Sequence, residues 1–380
     1  MRPLSFQSLD ERLQKAIDQE EAPGITLLVA YRNECLYHKA FGYAQLIPEK
    51  KVLTLETLFD VASLTKVLAT TTAILLLLKS GEISLHDPIS KYFQEFRSSG
   101  KDSITLRHLL THSSGLPAYY RFYQDLWEED QKRGGGFLCT QAAKEQVIQK
   151  TLALDLVYPT GQDYKYSDPG FILLGALIEK VTQKELDQFC QQEIWLPLGM
   201  KNTFFINLKE TSQGVSLQSS RKFAATEYCP WRQRVLYGEV HDENCYAMGG
   251  VAGHAGLFST SEDIYLLVKK LLDCYRGKDD WIPPPRIREF FTRQHLPKSS
   301  TWALGWDTPS SLGSTSGRYF SEESVGHTGF TGTSIWIDLK RDLVVILLSN
   351  RVHPSRNNQR FAKLRPEVHN MVQQVVSSGW

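Results

Sequence analysis

Leu58-Phe59-Asp60-Val61-Ala62-Ser63-Leu64-Thr65-Lys66-Val67 leads on into the apolar run Ala73-Ile74-Leu75-Leu76-Leu77-Leu78. The pattern reads as the start of a buried helix. A lysine three residues after a serine shares its helix face one turn later, so the amine of Lys66 can reach the hydroxyl of Ser63 and activate it as a nucleophile. The same S-x-x-K spacing recurs at Ser98-Ser99-Gly100-Lys101 and Ser219-Ser220-Arg221-Lys222. Only Ser63 is followed by a continuous helix whose first amides can hold a developing oxyanion. The plainer reading of the motif is a helix N-cap with a solvated lysine.

The 380 residues suffice for two domains, or for one large domain with a substantial insertion. With 43 Lys+Arg against 42 Asp+Glu the net charge is +1, which argues against nucleic acid as a partner. The apolar run ends at Lys79, short of the ~20 residues a membrane helix needs, so no membrane partner is expected. The first residues carry acids and no apolar segment of the secretory type. The expectation is therefore a cytoplasmic protein, or a periplasmic one if a leader was removed. Six cysteines without metal or C-x-x-C spacing suit reduced thiols, with neither disulfides nor a structural metal.

A helix pattern over about residues 6 to 19 precedes two strand-like runs, 25–31 and 35–43, joined by Arg32-Asn33-Glu34. Two more β-rich runs near the other end, 334–339 and 343–348, are joined by Lys340-Arg341-Asp342 and followed by a helix-patterned tail. The fold class expected is α/β (α+β): an antiparallel sheet built from both termini and flanked by helices, with an inserted mostly helical domain. Its segments are 1–81 and 251–380 for the sheet domain and 82–250 for the insertion. Helices are expected over 105–112, 142–154, 170–182 and 186–192, and loops at Gly134-Gly135-Gly136 and from Asn207 to Arg221.

Two further elements carry chemistry. Tyr166-Ser167-Asp168 puts a phenol on a loop just before an apolar helix, where a neighbouring cation such as Lys66 would favour phenolate. By itself this is equally a surface tyrosine in a turn. Gly326-His327-Thr328-Gly329-Phe330 precedes the strand run from Ser334, and its small residues let a substrate backbone lie along the sheet edge. A satisfied histidine in a glycine-rich turn is the alternative. His254-Ala255-Gly256 offers another H-x-G, but a helical segment follows it, so His327 is preferred.

The ordered set Phe59 to Lys66, Leu106-Arg107-His108-Leu109-Leu110-Thr111-His112-Ser113-Ser114-Gly115-Leu116, Tyr166 to Asp168, Gly253 to Thr260 and His327 to Gly329 resembles the serine β-lactamase and penicillin-binding-protein superfamily. Within it, the class C β-lactamase, DD-peptidase and family VIII esterase branch is the most similar. The resemblance implies a β-lactamase-like fold and acyl transfer without a cofactor. Ser63 would be the acylated nucleophile, Lys66 its activating partner and Tyr166 the proton relay. Backbone N–H groups of Ser63 and Phe330 would hold the oxyanion, with His327, Thr328 and Gly329 along the substrate.

Asp168 stands where lactamases and peptidases of the branch usually carry asparagine, and His327 where most lactamases carry lysine. Both departures weaken a lactamase reading. Asp168 should pair with Lys66 and favour Tyr166 as the base. Asn350-Arg351 resembles the segment where relatives bind a substrate carboxylate, so Asn350 is a candidate pocket residue and Arg351 a weaker one. His241-Asp242-Glu243-Asn244 either lines the site or orders a loop, and the aromatic run Tyr119, Tyr120, Phe122, Tyr123 and Trp127 either roofs the pocket or covers a core. The expected activity is that of a serine hydrolase on an ester or D-amino-acid-containing peptide related to cell-wall material, with weak or no β-lactamase activity. The contrasting expectation is a non-catalytic binding module that keeps the fold.

Overall fold

Strand β1 (Gly24–Tyr31) is buried at every position, because its side chains feed two different cores. Ile25, Leu27 and Val29 point to one face of the sheet, and Leu28 and Ala30 to the other. The computed structural model describes residues 5–209 and 221–378. β1 pairs antiparallel with β2 (Glu34–Gln45), turning through Arg32 and Asn33, both of which have positive φ as a tight two-residue hairpin requires. After β2 come β3 (Lys51–Val52) and β4 (Phe59–Asp60). Short strands β5 (Phe204–Phe205), β6 (Tyr228–Cys229), β7 (Arg234–Val235) and β8 (Leu257–Ser259) lie in the middle of the chain. β9 (Val325–Thr328), β10 (Ser334–Asp338) and β11 (Leu343–Ser349) bring it back to the main sheet.

The six-stranded sheet has the order β3-β2-β1-β11-β10-β9, so its two central strands come from opposite ends of the chain. Ile25 lies opposite Ser349 and Tyr31 opposite Leu343. The antiparallel sheet expected from the two termini is therefore present, and helices flank it. On the outer face, α1 (Gln7–Asp18) packs Leu9 and Leu13 beside Leu364 and Val368 of the C-terminal helix. The inner face meets a continuous core that reaches into the middle of the chain.

That middle contributes α2 (Thr72–Ser80), α3 (Leu106–Leu110), α4 (Phe122–Lys132), α5 (Gln141–Ala153), α6 (Asp168–Thr182) and α7 (Leu186–Cys190). After it follow α8 (Glu243–Ala247), α9 (Ser261–Tyr275), α10 (Pro284–Phe290) and α11 (Phe361–Ser378). The helix expected over 105–112 is shorter by several residues, because His112 adopts positive φ and ends it. Part of the loop expected between Asn207 and Arg221, residues 210–220, lies outside the described residues. A three-stranded sheet, β4-β8-β5, joins the segments before and after the helical region.

The nucleophile segment departs from a regular α-helix. Ala62–Leu64 forms a 3-10 turn and Lys66–Thr71 a π-turn before α2 begins. Threonine hydroxyls explain the wide turn, since they take over backbone partners that an α-helix would use. Thr65 Oγ1 donates to Ala62 O at 2.6 Å and accepts from Leu257 N at 3.1 Å. Thr70 Oγ1 donates to Gly253 O at 2.6 Å, and Thr72 Oγ1 to Val67 O at 2.8 Å.

α6 passes so close to the loop bearing Gly253 that neither backbone tolerates a side chain. A methyl group on Gly253 would strike Phe171 O and come within 2.8 Å of Gly175 N. This contact holds the loop that presents the carbonyl of His254. Gly253→Ala should therefore lower the urea denaturation midpoint by an amount equivalent to about 2 kcal/mol or more, as overpacking against rigid backbone does. An unchanged midpoint would mean the loop can withdraw without cost.

Candidate active site

Lys66 is wholly buried, and an ammonium there needs partners on every side. Its Nζ lies 3.1 Å from Ser63 Oγ, 2.9 Å from the carbonyl of His254 and 2.7 Å from Asp168 Oδ1. Tyr166 hydrogen-bonds both Lys66 and Ser63, and the ammonium lies 4.9 Å from the centre of its ring. Burial alone would lower the pKa of Lys66, but Asp168 and Tyr166 outweigh it and the pKa is raised, so the lysine is a cation at neutral pH. Burial pushes the Tyr166 phenol up and Asp168 adds to this, while Lys66 pulls the other way; the net direction is upward. The resting tyrosine is thus a neutral phenol.

Each partner is delivered by its own local structure. Asp168 opens α6, whose N-terminus Ser167 caps by accepting from Gly170 N at 3.2 Å. His112, next to the end of α3, packs its ring at a 41° tilt against Tyr166, with centres 4.6 Å apart, and receives a hydrogen bond from Ser167 N at its Nδ1, 3.0 Å away. Ala62 carries the positive φ of 49° that turns Ser63 outward, and its N–H donates to Asp60 Oδ1 at 2.8 Å. The other carboxylate oxygen of Asp60 accepts from His241 N at 2.6 Å. Burial raises the Asp60 carboxyl to about 6 against these two backbone donors.

Ser63, Tyr166 and Asp168 line a cleft of about 800 Å³. Its opposite wall is β9 and the loop after it, where His327, Thr328, Gly329 and Phe330 follow one another. Gly329 is required there, because a Cβ would strike Thr333 Oγ1 and lie 2.5 Å from Val61 O. That approach sets Phe330 against the nucleophile segment, which Thr331 and Thr333 also grip through Asp60 O at 2.7 Å and Val61 O at 2.9 Å. β9 is an edge strand, paired with Asp307 at Gly326 but open beyond it at Thr328. Burial and the charge of Lys66 hold His327 down at about 3, so it is neutral; its Nδ1 lies 2.9 Å from Thr328 O.

The structure brings together Ser63, Lys66, Tyr166, Asp168, His327, Thr328, Gly329 and Phe330. It does not bring Asn350 into the cleft. Asn350 is buried, and its amide donates to Ala44 O at 3.0 Å and Ala225 O at 3.2 Å, so it ties the end of β2 to the segment at Ala225 beside β11. Lys101, from the second S-x-x-K, donates to Leu152 O at 2.7 Å in the helical core; Ser219 and Ser220 lie outside the described residues. The aromatic run divides, with Tyr119 and Tyr123 at the cleft and Phe122 in a core. Asp242 both lines the site and orders a helix, capping α8 through Cys245 N at 2.7 Å and meeting His254 Nε2 at 3.0 Å.

His254, His112 and Trp302 also support the site, beyond the residues that the sequence patterns point to. The first two stood inside blocks that carried the resemblance, which was the available signal. Trp302, 4.3 Å from His112 and 5.7 Å from Tyr166 between ring centres, stands in no motif.

The family profile described as Beta-lactamase matches residues 9–368. The chain belongs to the Beta-lactamase family. It is 32% identical over 380 residues to a protein of Salmonella agona (strain SL483) named "Putative D-alanyl-D-alanine carboxypeptidase", covering 95% of this chain and 85% of that one. It is 31% identical over 351 residues to the "N-acetylmuramyl-L-alanine amidase" of Bacillus subtilis (strain 168), covering 87% and 78%. Among solved structures, the octameric penicillin-binding protein homologue from Pyrococcus abyssi superposes with a TM-score of 0.72 at 22% identity, over 98% of this chain and 77% of that one. This family fold is thus assembled here around Lys66.

The buried histidines predict an acid sensitivity. His241, His327 and His369 are each held at about 3 by burial, against about 6.5 for an exposed imidazole. The unfolded chain therefore binds more protons below pH 6.5, and stability falls as pH drops from there towards 3. Asp60 and Asp307, raised to about 6, act with the opposite sign, losing their contribution as pH rises through that value. The test is accordingly a difference. Between pH 7 and 5, His327→Gln should lose less stability than the wild type by about 2 kcal/mol in urea denaturation. Equal losses would show that His327 is protonated without penalty.

Proposed function

We propose that the protein is a serine hydrolase that forms an acyl-enzyme on Ser63, cleaving an ester or a D-amino-acid-containing peptide of the cell-wall type, with weak or no β-lactamase activity. The observation that carries the reading is the buried Lys66 cation held between Ser63 Oγ and Asp168, with Tyr166 in hydrogen-bond contact with both the lysine and the serine. The names of the two relatives, a carboxypeptidase and a muramyl amidase, support the cell-wall substrate class.

In this mechanism the resting pair of Lys66 and Tyr166 carries one proton too many. Asp168 keeps the lysine charged, so the proton that leaves is the phenol's, and the phenolate then takes the proton of Ser63. Ser63 Oγ bonds the substrate carbonyl carbon, while N–H groups of Ser63 and Phe330 hold the oxyanion, each contributing about 3 kcal/mol. Tyr166 returns the proton to the leaving nitrogen or oxygen as its bond to carbon breaks. Tyr166 then takes a proton from water, which attacks the acyl carbon, and returns that proton to Ser63 Oγ as the acyl–oxygen bond breaks. His327 and Thr328 on the open end of β9 guide the substrate.

Intact-protein mass spectrometry after incubation with a fluorescent penicillin, and separately with a short-chain activated ester, tests the nucleophile. An adduct or turnover is expected with the wild type and absent in Ser63→Ala, with Lys66→Ala and Tyr166→Phe slowed by orders of magnitude. Normal turnover by Ser63→Ala would overturn the proposal. A penicilloyl adduct favours a peptidase-like pocket, and rapid ester turnover without one favours an esterase.

The pH profile tests the proton inventory. Asp168 raises the pKa of both Lys66 and Tyr166. Asp168→Asn should therefore shift the rise of kcat/KM with pH to lower pH by about one unit or more, whichever of the coupled groups releases the proton. An unmoved profile would remove Asp168 from the proton inventory.

A further inference from the structure

Asp242, which caps α8, stands in the cleft wall with its carboxylate held at one oxygen only. Oδ1 accepts from Cys245 N at 2.7 Å and meets His254 Nε2 at 3.0 Å. Oδ2 has no hydrogen-bond partner among the described residues, and the side chain keeps 23% of its surface open. An ionised carboxylate only accepts, so Nε2 carries the proton of that contact. His254 also lines the cleft; it is almost wholly inside, and its Nδ1 is buried without a partner. Two polar atoms of this wall thus want a group that no described residue supplies. The cations nearby are already committed. Lys66 answers Asp168, and Arg356 alone answers both Glu227 and Glu243. Arg121, also of the cleft, is exposed and makes no ion pair among the described residues. On this inner wall carboxylate therefore exceeds cation. Tyr119 registers the excess, its phenol pushed up by burial and then by the charges of Asp242, Glu243 and Asp168.

We propose that Asp242, His254 and Tyr119 form a subsite for an ammonium group carried by the substrate. A carboxylate drawn out of bulk water and short of a cation forgoes the charge-assisted bonds that usually stabilise it. An ammonium brings three N–H donors and a full charge, where a hydroxyl brings one donor and no charge. An aromatic face at the same end adds cation–π attraction. Burial pushes the Asp242 carboxyl up, yet His254, Cys245 N and the charge of Lys66 outweigh it and hold it below the usual carboxylate range. It is therefore an anion at neutral pH. His254 alone spans the gap to the nucleophile's lysine, with its carbonyl 2.9 Å from Lys66 Nζ and its ring on Asp242. The ammonium accordingly belongs a few bonds from the carbonyl that Ser63 attacks, as in an amino-acid ester or amide whose amine is free. The subsite rests on the serine hydrolase reading and adds that the cleft favours a free amine over an acylated one.

Isothermal titration of the whole protein with D-phenylalaninol, and separately with 3-phenylpropane-1,2-diol, tests the subsite without relying on catalysis. The two probes differ only in a hydroxyl that replaces the amine, and neither has a bond to cleave. The wild type should bind the amine saturably and about tenfold or more tighter than the diol. Asp242→Asn, which keeps the shape and the cap on Cys245 N, should erase most of that difference. Equal binding of the two probes by the wild type, or binding of neither, overturns the subsite, and this comparison needs no variant to fold. A difference that Asp242→Asn retains in full overturns it as well. In turnover, the preference for D-alanine p-nitroanilide over its N-acetyl derivative should fall in Asp242→Asn through KM; an unchanged preference counts against the subsite. If the wild type cleaves neither anilide and no activated ester, the hydrolase reading fails, and the titration still decides the subsite.

Discussion

A positive charge sealed from water at Lys66 is the constraint around which the site is organised. A buried ammonium without partners would cost more than the fold could bear. Its acceptors come from three stretches far apart in sequence: Ser63 on its own turn, Asp168 at the head of α6 and the carbonyl of His254 on the loop before β8. Satisfying one lysine therefore fixes α2, α6 and that loop relative to one another. The close approach of Gly175 and Gly253 is the steric counterpart of the same requirement.

The cleft's second wall is tied to the first by hydrogen bonds that belong to neither helix nor strand. Thr331 and Thr333 bind the carbonyls of Asp60 and Val61, and Asp60 in turn binds the amides of Ala62 and His241. The strained Ala62 is thus held from both sides, which is how an unfavourable backbone angle persists next to a nucleophile. Around this frame, neutral imidazoles fill space without adding charge. His112 and His327 both lie in the field of Lys66, and burial with that field keeps their rings unprotonated.

Much of this was legible in the sequence where local chemistry carries the signal. The hairpin at Arg32-Asn33, the strands at both ends and the helix after Tyr166-Ser167-Asp168 follow from alternation, turn residues and capping. Ser63, Lys66, Tyr166 and His327 sit in short patterns and were named from them. The π-turn after Ser63 was not legible, because it arises from hydroxyls reaching Gly253 and Leu257 across the fold. The resemblance places Asn350 in the pocket, yet the backbone oxygens of Tyr43, Ala44 and Ala225 hold its amide instead.

The central pairing of β1 with β11 has a consequence for biosynthesis. Ile25 leaves the ribosome long before Ser349, its partner, so the first hairpin must wait with one edge of β1 unpaired while the helical middle is made. The sheet closes only when the last strands arrive, and a chain shortened before β11 would lack the centre of its sheet, not merely an edge. Synthesis of this protein is thus an all-or-nothing event, and the interval before its completion is when the cell's folding machinery has most to protect.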